Sequence, residues 1–370
     1  MYLCWALLTP PLSSLAASPG VDSDYIYFGT TTDKSGPLQV NGKSDTDGAM
    51  LYFEKVNATG GVFGRKISFI SYDDHFEEKR ASANIKTLVE KDKVFALFRP
   101  FGTAAALAAI PLVREYRIPL IAFSGAPETR VADPYVIHFR ASYWDEIDQI
   151  VNLNYRIGTR RILLVYQNDQ FGESIKRGFE KAIASRPGMA DLPSVPMKVD
   201  SSDLDAALKY AAERRPEVII MGLAGKPVVK FVGEYHKQAG SARLAGLSVV
   251  MPELLIKHLG NEGARGTMLV EVMPFIGGGT TVVDEYRRAA SAAGKEISYI
   301  GLEGYLSAKI TVEGLRLAGR ELTRDGFVQA IRKMRGLDFG GYAISFGGGE
   351  NSGSKYTDLV IISHGGRLVH

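Results

Sequence analysis

The hydrophobic positions fall into short unbroken runs separated by longer stretches of helical period. Ile26–Thr31, Ile67–Tyr72, Val94–Phe98 and Leu120–Phe123 are runs of the length expected for strands buried on both faces. Between them, Ala49, Tyr52, Phe53 and Val56 share one helical face, as do Ala81, Ile85, Leu88 and Val89. Ala104–Tyr116 reads as a third helix, and the spacing is that of βαβ units. The alternation then restarts, with strands over Ile162–Val165, Val195–Val199, Val218–Met221 and Leu247–Val250. Helices fall near Trp144–Arg156, Phe171–Ser185, Leu204–Ala212, Val228–Ala239 and Leu254–Leu259. The last stretch has helical patterns over Val283–Ala293, Leu302–Ala318 and Phe327–Met334, then strand-like Tyr342–Phe346 and Leu359–Ile362. That is too little strand for a third sheet.

The pattern therefore predicts an α/β fold of two doubly wound parallel-sheet lobes. Residues 24–140 with 275–345 would form lobe 1, and residues 141–274 with 346–370 lobe 2. The chain would cross between lobes near His138–Ser142, Glu271–Phe275 and Ser345–Gly349. Three crossings make a hinge, which suits closure over a ligand.

Two of the apolar runs stop abruptly at small and hydroxylated residues. Val94–Phe98 leads into Arg-Pro-Phe-Gly-Thr103, and Leu120–Phe123 into Ser124-Gly125-Ala126. Either turn alone reads as an ordinary helix N-cap. Together, on neighbouring strands, they read as a cleft, because small ligands sit beyond the carboxyl ends of such sheets. Thr103, Ser124, Gly125 and Ala126 are small enough for a ligand to approach hydroxyls and free helix-start N–H groups.

Length and composition support this reading and narrow it. At 370 residues the chain exceeds the size of one hydrophobic core, so two domains are natural. A net charge of +3, without a cluster of Lys and Arg among aromatics, gives no support to nucleic acid as a partner. Residues 1–17 are apolar and then small, the back half of a secretory signal that lacks its basic start. Its removal would place the protein outside the cytoplasm, in the periplasm of a two-membrane cell. Cys4 is the only cysteine, so a chain without those residues has no disulfide. With no sustained heptad pattern, a monomer is expected.

Catalytic motifs are scarce. There is no His-Glu-x-x-His and no Gly-x-Ser-x-Gly, and Gly222-Leu-Ala-Gly-Lys-Pro has the wrong spacing for a phosphate loop. Asp73-Asp-His-Phe reads as a solvated turn rather than a metal cluster. Neither a metal nor a cofactor is expected, and an enzyme with a diffuse site is the weakest reading.

Further blocks complete the picture: Ser35-Gly-Pro, Asn57-Ala-Thr-Gly-Gly-Val-Phe-Gly-Arg-Lys, Asp73-Asp, Phe101-Gly-Thr and Ile118-Pro-Leu-Ile. Later come Tyr166-Gln-Asn-Asp-Gln-Phe-Gly-Glu and Gly266-Thr-Met-Leu-Val-Glu-Val-Met-Pro. In this order they resemble the type I periplasmic solute-binding proteins of ABC importers, the leucine/isoleucine/valine-binding group. The resemblance runs from about Tyr25 to the C-terminus. It implies that Thr103 and Ser124 to Ala126 hold the ligand's polar head, and that Phe171 stands where the family has a tyrosine. It also implies departures: Asn41 and Ala224 replace aromatics, and Ser248 stands where the family has the acid that receives the ligand ammonium. Glu253 is a possible substitute for that acid, but a position on the helix surface is expected for it. Tyr143 and Trp144 are expected either to pack the ligand's body or to fill the core near the hinge. The implied partners are a small carboxylate-bearing or amide-like solute and the transmembrane subunits of a permease. A sensory module using the same cleft is the alternative.

Overall fold

The computed structural model describes residues 18–190, 192–238, 240–347 and 350–370. The segment read as a signal, residues 1–17, lies outside the described residues, as does the end of the crossing near Ser345–Gly349.

The first sheet contains Tyr25–Thr32 (β1), Lys66–Asp73 (β2), Ala96–Phe98 (β3), Leu120–Ile121 (β4) and Val136–Ile137 (β5). Its order is β2-β1-β3-β4-β5 and every pair is parallel. Helices Gln39–Ala58 (α1), Glu78–Glu90 (α2) and Thr103–Tyr116 (α3) make its crossovers. Strands buried on both faces explain the unbroken apolar runs: Phe28, Leu97, Ile121 and Val136 are fully buried.

The second sheet uses Ile162–Gln167 (β6), Val195–Met197 (β7), Val218–Gly222 (β8), Arg243–Gly246 (β9) and Met268–Glu271 (β10). These are parallel and alternate with Tyr143–Arg156 (α4), Gln170–Ala184 (α5), Leu204–Arg214 (α6), Lys226–Lys237 (α7) and Pro252–Ala264 (α8). The chain then returns to the first lobe as Thr281–Ala292 (α9), Tyr299–Ala318 (α10) and Arg324–Arg332 (α11). A small hairpin, Leu337–Asp338 (β11) with Ala343–Ile344 (β12), follows. Asp358–Ile362 (β13) and Leu368–Val369 (β14) add to the second sheet antiparallel, giving the order β14-β13-β10-β9-β8-β6-β7. The second sheet is therefore mixed at one edge.

One expected strand is corrected. Leu247–Val250 is not in the ladder; β9 ends at Gly246, and Val250 N–H closes a turn onto the Leu247 carbonyl at 2.8 Å. The run is apolar because the turn itself is buried, with Leu247 and Val250 at 0% exposure, Val250 lying over Gly246 and the Val249 carbonyl accepting from Asn41 of the other lobe. Apolar runs report burial, and here the buried run lies just past the strand rather than in it.

Close helix contact gives the first lobe its shape. A Cβ at Gly48 of α1 would fall on the Gly301 carbonyl of α10, and one at Gly304 on the Asp45 carbonyl. Glycine at these positions lets the two backbones touch, and so brings Asp45 and Glu303 side by side under the sheet's carboxyl edge. In the second lobe, a capping box fixes the start of α4. The Ser142 hydroxyl accepts from Asp145 N–H at 3.1 Å, and the Asp145 carboxylate accepts from Ser142 N–H at 2.8 Å.

Candidate functional site

The two turns meet at the carboxyl ends of β3 and β4. Gly102 has φ +92°, a conformation glycine adopts without strain, and it starts α3 with no side-chain cap. The first-turn N–H groups of α3 therefore face the cleft uncapped. Thr103 Oγ1 lies 3.0 Å from Ser124 Oγ, which in turn accepts from Ala126 N–H at 3.1 Å. Gly125 presses against lobe 2: its carbonyl accepts from Tyr143 N–H at 2.9 Å, and a Cβ there would come within 2.9 Å of the Tyr143 ring. Facing these residues is the start of α5, where Asp169 caps Gly172 N–H at 3.0 Å and aims Phe171 into the gap. Between them lies a cavity of about 100 Å³, lined by Phe76, Phe101, Thr103, Asp74, Asp169 and Phe171 among others. Behind it Phe101 stacks near Phe123 with centroids 4.5 Å apart, and Tyr143 meets Phe171 edge-on at 5.2 Å.

The other half of the predicted site is sealed. Asn41 donates its side-chain amide to the Val249 carbonyl across the lobes at 3.0 Å, while its Oδ1 is buried with no hydrogen-bond partner among the described residues. Ala224 is 3% exposed, and the adjoining Gly225 lies so near lobe 1 that a Cβ would stand 2.9 Å from the Pro37 carbonyl. Ser248 Oγ accepts from Arg140 Nη2 at 2.6 Å, and Ser248 N–H donates to Glu146 Oε2 at 2.9 Å. The structure thus places Thr103 and Phe171 on a cavity, and Ser124, Gly125, Ala126, Tyr143, Asn41, Ala224 and Ser248 in contact with the protein itself.

Sequence reasoning missed the charges beneath this floor. Arg99 donates from Nε to Asp45 at 2.8 Å and from Nη2 to Glu303 at 2.9 Å. Arg140 reaches Glu303 Oε2 at 3.3 Å and Glu146 Oε1 at 2.6 Å. The side chains of all five are at most 6% exposed. The acids alternate with the guanidiniums from lobe 1, through the hinge, into lobe 2. Burial pushes the Asp45 carboxyl up to about 6 and raises that of Glu146, although Arg99 and Arg140 pull against it. Burial also opposes the charge on Arg140, but Glu303 and Glu146 outweigh it and hold the guanidinium above its usual range. The signal was present: Arg99, Arg140 and Glu303 are charged residues inside or directly after strongly apolar runs. Such charges are rarely fully buried unless paired.

One open alternative is decided and one expectation is corrected. Trp144 does not join Tyr143 at the cleft; its Nε1 donates to the Ser174 carbonyl at 2.9 Å, and Lys181 lies over its ring. Successive helical residues face different sides, and only Tyr143 faces lobe 1. Glu253 is half-buried rather than on the open helix surface. Its Oε2 is buried without a partner, burial pushes its carboxyl up to about 7, and it lines a separate cavity of about 270 Å³ with Val40 and Ser298. The cause is the packing of the α8 start against lobe 1, which no local pattern records.

Comparisons with known proteins agree with this architecture. The model of the periplasmic binding protein family matches residues 25–361. The chain belongs to that family, as a type I member of the leucine/isoleucine/valine-binding group. A periplasmic substrate-binding protein from Ralstonia solanacearum superposes with a TM-score of 0.87 at 29% identity, over 93% of this chain and 99% of that one. A possible leucine/isoleucine/valine-binding protein from Rhodopirellula baltica gives 0.88 at 24% identity, over 96% and 98%. An amino acid binding protein of Pseudomonas aeruginosa is 23% identical over 80% of this chain and 79% of its own length. The family binds solutes rather than transforming them, and its members are exported. Among the described residues, no helix is long and apolar enough to cross a membrane.

Proposed function

We propose that this protein is the exported, monomeric receptor of an ABC importer. It captures a small solute, an amino acid or a related carboxylate or amide, between its lobes and delivers it to the permease. One observation carries this reading: the uncapped start of α3, with Thr103, lies across from Phe171 in a cavity to which both lobes contribute, and the buried Ser124 hydroxyl backs Thr103 at 3.0 Å. A helix N-terminus with adjacent hydroxyls suits a carboxylate or amide oxygen. A solute bonded by both lobes stabilises only the closed form, and so shifts the population toward it. Asn41, Ala224 and Ser248 would then act by shaping the closed floor, and Tyr143 by backing Gly125.

Native mass spectrometry of freshly purified protein identifies what it carries, and calorimetry follows with that compound. Small-angle scattering should show a smaller radius with the solute than without it. An unchanged radius, or no bound small molecule and no stabilisation by any tested solute, would sink the proposal.

A further inference from the structure

Two glutamates and a serine converge on one point between the lobes. Glu303 comes from α10 of lobe 1, Glu146 from the capped first turn of α4, and Ser248 from the turn after β9. Two carboxylates and a hydroxyl around one centre make a cation seat. The protein fills that seat itself, with Arg140. Nη2 donates to Glu146 and Ser248, each at 2.6 Å, and Nη1 lies 3.3 Å and 3.5 Å from the two Glu303 oxygens. Nε points at the Ala141 carbonyl at 3.3 Å, so each guanidinium nitrogen is committed. The Arg140 guanidinium also lies 5.1 Å from the centre of the Tyr143 ring, whose edge contact with Phe171 backs the cavity wall. The seat is thus one aromatic ring away from the solute cavity.

We infer that Arg140 determines specificity: as a built-in cation it occupies the floor's ammonium seat, so the cleft favours solutes that carry a carboxylate or amide but no α-ammonium. This rests on the solute-receptor reading above. An ammonium entering the closed floor would find Glu146 and Glu303 already paired, and would meet a guanidinium of like charge. Burying a charge without a partner costs more than the contact returns. Nearer the mouth, Glu77 and Glu78 sit on the exposed rim, Glu77 paired with Arg80 at 2.8 Å and Glu78 accepting from the Gln170 amide at 3.4 Å, while the two deeper carboxylates are held by the protein. Asp74 accepts from the Thr31 hydroxyl at 2.8 Å and from Phe76 N–H at 2.9 Å, and Asp169 accepts from Gly172 N–H and the Gln167 amide. Glu253 lines a different cavity.

The test is calorimetry with pairs of solutes that differ only in the α-amino group: 4-methylpentanoate with leucine, 3-phenylpropanoate with phenylalanine, propanoate with alanine. Wild-type protein should bind the des-amino member of at least one pair about tenfold tighter or more, the effect of one lost charge-paired contact. Arg140→Met removes the guanidinium from Glu146 and leaves Glu303 with Arg99 alone, and should narrow or invert that ratio. Arg140→Lys keeps a cation in the seat and should preserve the wild-type preference. A merely structural arginine would lower both affinities together and leave the ratio unmoved. Equal or tighter binding of the amino acid by the wild type overturns the inference while leaving the receptor reading intact. So does an unchanged ratio in a cooperatively folded Arg140→Met. Stabilisation by no small solute of any class overturns both. The wild-type ratio needs no variant, so the inference stays open to refutation even if Arg140→Met fails to fold.

Discussion

The two halves of the cleft are built from opposite materials. Toward the mouth, Thr103, the start of α3 and Phe171 present a hydroxyl, uncapped N–H groups and a ring to a cavity. Toward the floor, Asn41, Gly225 and Ser248 meet the opposite lobe or the hinge directly, above a buried chain of five alternating charges. The mouth keeps donors free for something that is not protein. The floor spends its polar groups on joining lobe to lobe. A polar residue in a cleft therefore does not by itself mark ligand contact; what matters is whether its partners are already inside the fold.

The sharpest way to break that contrast is to remove the middle of the charged chain. Glu303→Ala would leave Arg99 and Arg140 buried with one acid fewer between them. Breaking a buried pair on one side typically costs about 3–5 kcal/mol. In a chain of this size that corresponds to a fall in melting temperature of roughly 5 °C. Calorimetric or urea unfolding checks it. A loss within about 0.5 kcal/mol, the range of an ordinary surface change, would show that the floor is not held by these charges.

The mouth should behave the other way. Thr103→Ala removes a hydroxyl whose protein partner is the neighbouring Ser124 hydroxyl at 3.0 Å. One neutral hydrogen bond is worth about 1 kcal/mol, so solute affinity should fall about five- to tenfold while the melting temperature moves little. Titration of the identified solute, paired with a melt of the unliganded variant, separates the two effects. A large loss of stability with unchanged affinity would move Thr103 from the mouth to the floor.

How far the sequence reached follows the same division. The central strands β1, β3, β6 and β8 were legible because they are buried on both faces and so read as plain apolar runs, as Phe28 and Ile219 show, whereas β9 and β10 went unread. Thr103 was legible as a cleft position because strand-end turns of small residues have a local signature; Ser124 and Gly125 share that signature but are packed behind it. Leu247–Val250 misled because packing just past a strand buries a turn as thoroughly as a ladder buries a strand. Strands of two residues, such as Val136–Ile137, carry too few positions for any period to register. Arg99, Arg140 and Glu303 lie far apart along the chain, and pairing across such distances leaves no trace in spacing. Ser248 showed only the lack of an acid; that its place is taken by Arg140 is a tertiary fact.

The smallest expected effect concerns Glu253, the acid that belongs to neither half. Its carboxyl, with one oxygen buried and unpartnered, is pushed up to about 7 by burial, with Glu296 adding to the push. Lys257 gives it no relief, being paired with Glu296 at 3.0 Å. The sign follows from proton linkage: an acid whose folded pKa is raised binds its proton more tightly when native. Its contribution to stability is full below the unfolded value near 4.5 and is lost as pH rises through about 7. Glu253→Gln mimics the protonated form at all pH values. Urea unfolding at about pH 5 should therefore hardly separate the variant from wild type. At about pH 8 the variant should be the more stable, by an amount on the order of 1 kcal/mol given the residue's partial exposure. Glu271, raised well above the usual range by burial and by its acidic neighbours, should keep its own dependence in both proteins. The same measurement with solute present sharpens the comparison of mouth and floor. A solute ammonium seated against Glu253 would hold the carboxylate ionised and abolish the difference between the two pH values in the wild type. A solute confined to the mouth would leave that difference as it was.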